Sequence, residues 1–444
     1  MNRPFMLWMD ERFHFSDRGS TFKTEIIAGL TTFSTMSYVL VVHPLVLSQA
    51  GMDRAALITS TAIISALFCV TMGLWTNYPL AMAPGMGANV FIAIQVCQTM
   101  HVPWQAALGL VFYAGVLFLL VSVTGLRQSI MNAFPATFKK SISAGIGLFL
   151  AFVGLKNAGI LVASPRSLIG LGHISSPPVL LSLIGIVVVF ALVSRKVPGA
   201  LIWAVLLVTV VGLFVPAGAG QAHITEWPHR LVSEPSSIGP IAFKLDLMWL
   251  WTHLSLGIPI VLALLFMDLF SAMAVLFAIG QRANLCDADG NLPKLRQALE
   301  ADSLAACTSA AMGSTMAIIY LESAAGVEQG GRTGLVSLST AAWFLLALVF
   351  TPIILIIPPI ATTPALVAIG AFMLQGLADL ELRDPLVAST VLITSLMMAL
   401  TTISDGMAIG FLTNLFVLAL MGKGRTIKPM AWALAAIFLA HYLI

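Results

Sequence analysis

The chain has 444 residues, of which 59% are hydrophobic and 9% charged, and its mean hydropathy is +0.98. Water-soluble domains are about 25% charged, so this chain has too few charged side chains to cover a surface in water. Its net charge of +3 is spread over many short loops, which argues against a nucleic-acid partner. The composition excludes a soluble protein and predicts an all-α polytopic membrane protein.

The amino terminus is polar, and residues 1–23 carry charges of both signs. A cleavable signal peptide needs a basic end followed at once by an apolar core, which this segment lacks. We therefore predict that residues 1–23 form a cytoplasmic N-terminal segment. The four cysteines are scattered with no CxxC spacing, so small apolar packing is favoured, and no disulfide framework, metal or bound cofactor is predicted.

Apolar runs as long as a membrane-crossing helix recur along the whole chain. Hydropathy predicts fourteen spans, near residues 24–48, 55–77, 85–100, 104–125, 141–161, 178–194, 197–216, 253–281, 302–313, 321–331, 333–351, 353–376, 385–402 and 404–421. The polar stretch 217–252 is predicted to be an extracytoplasmic connecting loop. Residues 422–444 form a C-terminal segment whose short apolar run is predicted to be an interfacial helix.

The basic residues favour one orientation of these spans, because Lys and Arg are enriched in cytoplasmic loops. A cytoplasmic N-terminus places on the same side Arg3, Arg12, Arg18, Lys23, Arg127, Lys139, Lys140, Arg195, Lys196, Arg282, Lys294, Arg296, Arg383, Lys423, Arg425 and Lys428. It leaves outside Arg54, Arg166, Arg230 and Lys244. Both termini are therefore predicted to be cytoplasmic.

Fourteen spans divide at the connecting loop into two repeats of seven, 24–216 and 253–421. Because seven is odd, the second repeat enters the membrane with the opposite orientation. Two repeats with opposite orientations form an inverted-topology repeat, which is the usual architecture of secondary transporters. The repeat is inferred from topology alone, since the two halves show no convincing similarity residue by residue.

Two predicted spans are too rich in proline or glycine to be continuous helices. The third contains Pro79, Pro84, Gly85 and Gly87, and the tenth reads GSTMAIIYLESAAGVEQGGRTG. In each, a short extended strand, PLAMA or TMAIIY, is expected to precede a helix start built from small residues. Both are third of seven in their repeat.

Paired interrupted spans aim the free N–H groups of their helix starts at the midplane, where transporters bind substrate. Glycines in membrane helices also serve close packing, and for either segment alone the two explanations are equally good. The match between the two segments favours a binding role.

Acidic residues inside the predicted spans are few. Because a charge in hydrocarbon is costly, each is expected to have a bonding partner or a function. Asp302 and Asp405 lie in the first turn of predicted helices and are expected to cap free N–H groups. Asp268 lies in mid-span in LLFMDLFSAM, and Glu322 lies at the break in YLESAAG. These last two are the strongest site candidates. His43 is expected at the membrane interface.

Motifs of enzymes and ATPases are missing from the sequence. No GxxxxGK[ST] loop is present, which argues against ATP-driven transport by this chain alone, and no HExxH occurs among the dispersed histidines. An intramembrane enzyme using Asp268 and Glu322 as paired carboxylates is a remote alternative, because no nucleophile–base pattern accompanies them.

Five stretches carry a family resemblance: TEIIAGLTTFSTMSYVLVVHPLVLSQAGM, MAPGMGANVFIA, SAGIGLFLAFVGLKNAGI, ALEADSLAA and YLESAAGVEQGGRTGL. Together they resemble the AzgA-like purine permeases, the hypoxanthine–adenine–guanine branch of the nucleobase:cation symporter family 2. The resemblance runs from residue 11 to residue 420. It implies a 7+7 inverted repeat, a core domain that carries the site, and a gate domain that often mediates homodimers.

The resemblance also implies substrate-binding residues. Glu322 matches the acid at the start of the tenth span that contacts the base, and Asn89 matches the asparagine of the third-span motif. Asp268 and Ser271 fall on the eighth-span motif, usually FVDxFDTxGTLxGVA, which here reads FMDLFSAMAVLFAIG. The second acid of that motif is thus replaced by Ser271, three residues after Asp268 and on nearly the same helix face.

The predicted chemistry is recognition without covalent change. A purine presents N–H donors and ring-nitrogen acceptors, so that Glu322 can accept paired N–H bonds and Asn89 can donate or accept. Amides at the two helix starts, around Gly87, Ala88 and Ser323, are expected to serve the ring acceptors. The candidates for stacking on the purine ring are Phe33, Tyr38, Phe91 and Phe270.

The predicted function is import of a purine nucleobase, either adenine, guanine or hypoxanthine, by proton symport through the plasma membrane, which is the inner membrane in bacteria. Glu322 and Asp268 are the candidates for carrying the coupling proton, since desolvation favours a neutral carboxyl group. The alternative is a transporter of the same fold for xanthine, uracil or a small anion, and the replacement of an acid by Ser271 keeps it open.

Overall fold

The computed structural model describes residues 3–124, 136–164, 168–217, 223–227, 230–286, 292–401, 403–424 and 427–443. Of the basic residues above, Arg127, Arg166 and Arg425 lie outside the described residues, as does part of the predicted connecting loop.

Helices account for most of the described chain. They are α1 (Arg3–Phe13), α2 (Phe22–Met36), α3 (Val39–Ser48), α4 (Arg54–Thr76), α5 (Met86–Val90), α6 (Trp104–Thr124), α7 (Ala136–Asn157), α8 (Pro177–Ser194), α9 (Ala200–Gly212), α10 (Trp249–Thr252), α11 (Leu254–Arg282), α12 (Leu295–Ala311), α13 (Ser323–Glu328), α14 (Gly334–Ala347), α15 (Thr351–Leu355), α16 (Thr363–Leu374), α17 (Pro385–Leu400), α18 (Ile403–Leu418) and α19 (Pro429–Leu443). Short π-helical or 3-10 segments adjoin them at Phe91–Thr99, Leu348–Phe350, Pro359–Thr362, Gln375–Asp379 and Ala419–Lys423. The strands are β1 (Met82–Pro84), β2 (Leu161–Ser164), β3 (Leu168–Leu171) and β4 (Ala317–Ile319).

Within the described residues, nine helical stretches are long and apolar enough to cross a membrane, and two further apolar helices are shorter. Large apolar side chains such as Val187, Trp203 and Leu392 are exposed on their outer faces. Helices that are apolar on every side belong in a lipid environment. The prediction of a mostly helical, polytopic membrane protein is therefore confirmed at the level of fold class.

The first bundle, α2–α6 with α11–α14, combines helices from both halves of the chain. In it α14 packs against α2 and α4, α12 packs against α4 and α6, and α13 packs against α2. Glycines make these contacts close: a Cβ on Gly73 would lie 2.6 Å from the carbonyl oxygen of Gly334, and a Cβ on Gly115 would lie 2.8 Å from the backbone nitrogen of Cys307. Close approach through small residues is the usual way in which membrane helices associate.

The second bundle, α7–α9 with α16–α18, is also drawn from both halves. Helix α7 packs against α16 and α17, α16 packs against α8 and α9, and α17 packs against α18. Where α7 crosses α16, a Cβ on Gly147 would lie 2.6 Å from the carbonyl oxygen of Gly370. Helix α7 also contacts α5 and α11 of the first bundle, so the two bundles meet beside the start of α5.

Two short strands pair inside the first bundle. Strand β1 lies antiparallel to β4, with Ala83 opposite Ile318, and the backbone N–H of Tyr320 extends the pairing by donating to the carbonyl oxygen of Ala81 at 3.0 Å. Proline explains the extended backbone of β1, which ends at Pro84, because a residue that precedes proline disfavours the helical region. Each strand leads into a helix, β1 into α5 and β4 into α13.

Helix α12 begins at Leu295 and not at residue 302, where the ninth span was expected. Its first turns are amphipathic, since Leu299 is buried while Glu300 pairs with Arg296 at 2.7 Å. A hydropathy average over both faces does not detect such a helix. Asp302 therefore lies in the helix interior, and the prediction that it caps a helix start is wrong. Asp405 does lie in the first turn of α18.

Candidate functional site

The two strand–helix segments are joined side to side where β1 and α13 begin. The hydroxyl of Ser323 accepts a hydrogen bond from the backbone N–H of Ala81 at 2.9 Å, and the hydroxyl of Tyr320 donates to the carbonyl oxygen of Pro84 at 2.5 Å. Ser323 is fully buried. Its hydroxyl therefore holds the two segments together, and its predicted contact with substrate stays a prediction.

Glu322 stands at the N-cap position of α13. Its side chain is half-buried, and its Oε1 accepts a hydrogen bond from the hydroxyl of Tyr38 at 2.8 Å. Tyr38, which sits between α2 and α3, is only 1% exposed. The site thus contains a partly accessible carboxylate whose orientation is set by a buried tyrosine.

The start of α5 faces the junction of the two bundles. A Cβ on Gly87 would lie 2.9 Å from Cγ2 of Ile146, on α7, and 3.5 Å from Cε of Met267, on α11. Ala88 is buried, whereas Gly87 is half-buried. A larger residue at position 87 would require the Ile146 side chain to move, and the contacts with α7 and α11 place the amides of this turn where the two bundles meet.

Asn89 is fully buried on the inner side of α5. Its Nδ2 donates to the carbonyl oxygen of His43 at 3.5 Å, while its Oδ1 is buried without a hydrogen-bond partner among the described residues. Buried amide oxygens are normally bonded, so Asn89 retains a free acceptor close to the predicted substrate-binding amides.

His43 is fully buried, and the prediction that it lies at the membrane interface is wrong. Its Nδ1 lies 2.9 Å from Oγ1 of Thr61, and its Nε2 lies 3.1 Å from the hydroxyl oxygen of Ser314. The imidazole therefore connects α3 and α4 with the residues just before β4. Local hydropathy carries no signal for a partner as distant in sequence as Ser314.

Helix α11 carries the other two predicted acidic-motif positions and contacts both β4 and α13. Ser271 is half-buried, whereas Asp268 is only 2% exposed. The carboxyl group of Asp268 lies close enough to that of Asp302 for the two to interact electrostatically. All four of their oxygens are buried without a hydrogen-bond partner of good geometry in the described part of the chain.

Asp302, which the sequence reasoning had assigned to a helix cap, is thus a buried neighbour of the site candidate Asp268. The signal was present, because ALEADSLAA belongs to the stretches with family resemblance. The buried pair also separates the predicted residues into two groups: Glu322 and Ser271 are partly accessible, while Asp268 is enclosed next to a second acid.

The aromatic side chains proposed for stacking occupy different environments. Phe91 is fully buried, and Phe33 packs edge-on against Phe344 with ring centroids 5.1 Å apart. Phe270 is stacked on Phe266 and lies 6.0 Å from the ammonium group of Lys139. Within the described residues, no group of three or more His, Cys, Asp or Glu side chains is placed to hold a metal ion.

Comparisons with known proteins also point to membrane permeases. A sequence model described as the permease family matches residues 23–406. The adenine permease AdeP of Escherichia coli is 33% identical over 97% of this chain and 95% of its own length. The guanine/hypoxanthine permease PbuG of Bacillus subtilis is 34% identical over 97% of this chain and 98% of its own length.

Among solved structures, the transmembrane domain of a cyanobacterial bicarbonate transporter, BicA, is similar with a TM-score of 0.63. The match covers 86% of this chain and 96% of that domain at 16% sequence identity. At that identity the likeness concerns the fold alone.

Proposed function

This chain belongs to the permease family, and from that premise we propose that it imports purine nucleobases, namely adenine, guanine or hypoxanthine. Membership of this family confirms the prediction of a transporter rather than an intramembrane enzyme. The observation that carries the purine assignment is Glu322, a half-buried carboxylate held at a helix start, together with relatives named as adenine and guanine/hypoxanthine permeases.

The geometry around Glu322 suits a flat molecule with donors on one edge and acceptors on another. A carboxylate accepts two N–H bonds from such an edge. The amides near Gly87 and Ala88 offer complementary donors. Asn89, on the same helix, keeps a buried Oδ1 with no hydrogen-bond partner among the described residues, and its contact with substrate stays a prediction. Ser271 lies on α11, the helix that contacts the Glu322 segment, and is half-buried. We assign it the remaining polar contact.

We further propose that the described helices form fourteen spans in a 7+7 inverted repeat, 24–216 and 253–421, joined by the loop 217–252. The third and tenth spans are then the β1–α5 and β4–α13 segments. The antiparallel pairing of β1 with β4 supports this, since a two-fold axis in the membrane plane relates such strands antiparallel. So does the construction of each bundle from both halves of the chain.

In this arrangement the first bundle is the substrate-carrying core and the second bundle is the gate. Segments 1–23 and 422–444 then lie on the cytoplasmic side of the plasma membrane, the bacterial inner membrane, with a homodimer forming through the gate. The charge distribution of the loops supports the orientation.

For coupling, we propose proton symport in which Asp268 and Asp302 share the transported proton. Two carboxyl groups that interact in a desolvated interior do not both ionise readily, and none of their four oxygens has a hydrogen-bond partner of good geometry within the described residues. Glu322, the other candidate for coupling, is left to bind the base.

The test is uptake of radiolabelled adenine, guanine, hypoxanthine, xanthine and uracil in a host that lacks its own nucleobase transporters. We expect accumulation of at least one purine, and its loss in Glu322→Gln with normal abundance in the membrane. Glu328→Gln is the matched control, because Glu328 is exposed on the same helix. Normal purine uptake by Glu322→Gln contradicts the proposal. Uptake of uracil alone contradicts the purine assignment and supports one of the alternative substrates.

A further inference from the structure

The first span, α2 and α3, runs beside the segment 322–334 that carries Glu322. In the middle of this contact the two backbones are very close. A Cβ on Gly326 would clash with Oγ1 of Thr32 and lie 2.7 Å from the carbonyl oxygen of Ala28, and a Cβ on Gly331 would lie 2.8 Å from Cβ of Ala28. With so little space between them, the segment cannot shift across the first span without a clash.

Glu25 fixes one end of this contact. It is fully buried in the first turn of α2, and its Oε1 accepts from the backbone N–H of Arg332 at 2.8 Å. Its Oε2 accepts from the backbone N–H of Thr333 at 3.2 Å and from the hydroxyl of Thr333 at 2.7 Å. These N–H groups precede α14, where backbone donors have no partner within the helix, so Glu25 holds the end of the segment to the first span.

Tyr38 fixes the other end. Its hydroxyl donates to Oε1 of Glu322 at 2.8 Å. Oγ1 of Thr35, which donates to the carbonyl oxygen of Thr32 at 2.8 Å, lies 3.4 Å from the carbonyl oxygen of Glu322. Because Tyr38 is 1% exposed, its ring and hydroxyl do not face a space that holds a ligand. Its effect on a ligand must act through the carboxylate.

We infer that Tyr38 is a positioning residue that fixes the carboxyl group of Glu322 before substrate arrives, with the first span as the rigid support. The inference rests on the proposed role of Glu322 in purine binding. A carboxylate that is already oriented loses less side-chain freedom when it binds, and a supporting hydrogen bond of this kind keeps a binding group in its productive geometry.

The test is Tyr38→Phe, which removes the hydroxyl and keeps the ring. Loss of a hydrogen bond to a charged group is expected to raise the half-saturation constant for purine uptake about tenfold, with little change in maximal rate or membrane abundance. Tyr113→Phe is the control, since the Tyr113 hydroxyl also donates, at 3.1 Å, but to the carbonyl oxygen of Leu247. It is expected to leave the half-saturation constant unchanged.

A second measurement does not depend on the substrate. The infrared carboxyl band of Glu322, assigned by its absence in Glu322→Gln, is expected to shift in Tyr38→Phe and not in Tyr113→Phe. An unshifted band overturns the inference, as does an unchanged half-saturation constant where purines are transported. If the wild-type protein transports none of the five bases, the proposed function fails, and the band shift alone decides whether Tyr38 positions Glu322.

Discussion

Replacing Glu25 with alanine removes the carboxylate that joins the first span to the start of α14. Three hydrogen bonds, from two backbone N–H groups and one hydroxyl, lose their acceptor at distances of 2.7 to 3.2 Å. The two N–H groups belong to Arg332 and Thr333, and Thr333 is itself fully buried. The N–H and hydroxyl donors of Thr333 are left buried without their acceptor, which makes the loss more severe than that of an exposed bond.

The magnitude follows from two opposing contributions. Hydrogen bonds to a charged group each contribute about 1.5–3 kcal/mol, whereas removing the carboxylate also relieves the cost of burying its charge. A buried donor left without its acceptor costs about 1–3 kcal/mol, and after the relieved charge burial is set against the lost bonds we expect Glu25→Ala to lose about 3 kcal/mol. Glu25→Gln keeps one acceptor oxygen and is expected to fall between the alanine variant and the wild type.

The assay is thermal unfolding of the purified protein in detergent, followed by the loss of its monodisperse peak. Glu11→Ala is the matched control, because Glu11 is exposed on α1 and surface changes are usually within about 0.5 kcal/mol. The expected order of stability is Glu11→Ala equal to wild type, then Glu25→Gln, then Glu25→Ala. If Glu25→Ala unfolds at the same temperature as Glu11→Ala, the claim that this carboxylate anchors the 322–334 segment is refuted.

Two further variants test the site and its coupling. Ser271→Asp places an acid on the half-buried face of α11 and is expected to change the affinity or the choice among nucleobases; an unchanged kinetic profile in competition uptake would show that position 271 does not face substrate. Asp302→Asn removes one member of the buried carboxyl pair, and uptake measured across external pH is expected to lose its proton dependence while purine binding to purified protein persists. Retained pH dependence in Asp302→Asn would separate this pair from proton coupling.

The membrane class and the two strand–helix segments were accessible from sequence because both depend on local composition. An average over apolar side chains detects most of the long helices, and Pro79 and Pro84 preclude a continuous helix whatever surrounds them. The position of Glu322 at a helix start follows from the same local pattern, since SAAG begins α13 directly after it.

The errors concern residues whose surroundings come from distant parts of the chain. His43 resembles an interfacial residue when only its neighbours in sequence are considered, yet its partners are Thr61 and Ser314. Asp302 resembles a cap because the charged residues of LRQALEAD lower the local hydropathy, although four earlier apolar residues of the same helix are buried or partly buried. No prediction was made for Glu25, which is close to the polar amino terminus, because its burial against Thr333 depends on a contact across 308 residues.

The acidic residues lie in two different environments, and this suggests that base binding and proton coupling are carried out by different carboxyl groups. Glu322 is partly accessible and is already bonded to Tyr38, so its proposed role in accepting donors from a ligand requires no change in its surroundings. Asp268 and Asp302 are enclosed, and they sit on α11 and α12, of which α11 also contacts the Glu322 helix. A proton shared by an enclosed pair is lost only when that pair gains access to water. We therefore expect proton release to require movement of α11 or α12, whereas base binding requires only the preorganised carboxylate of Glu322. That difference explains why Asp302→Asn is expected to abolish the pH dependence of uptake and spare purine binding, whereas Glu322→Gln is expected to abolish binding itself and uptake with it.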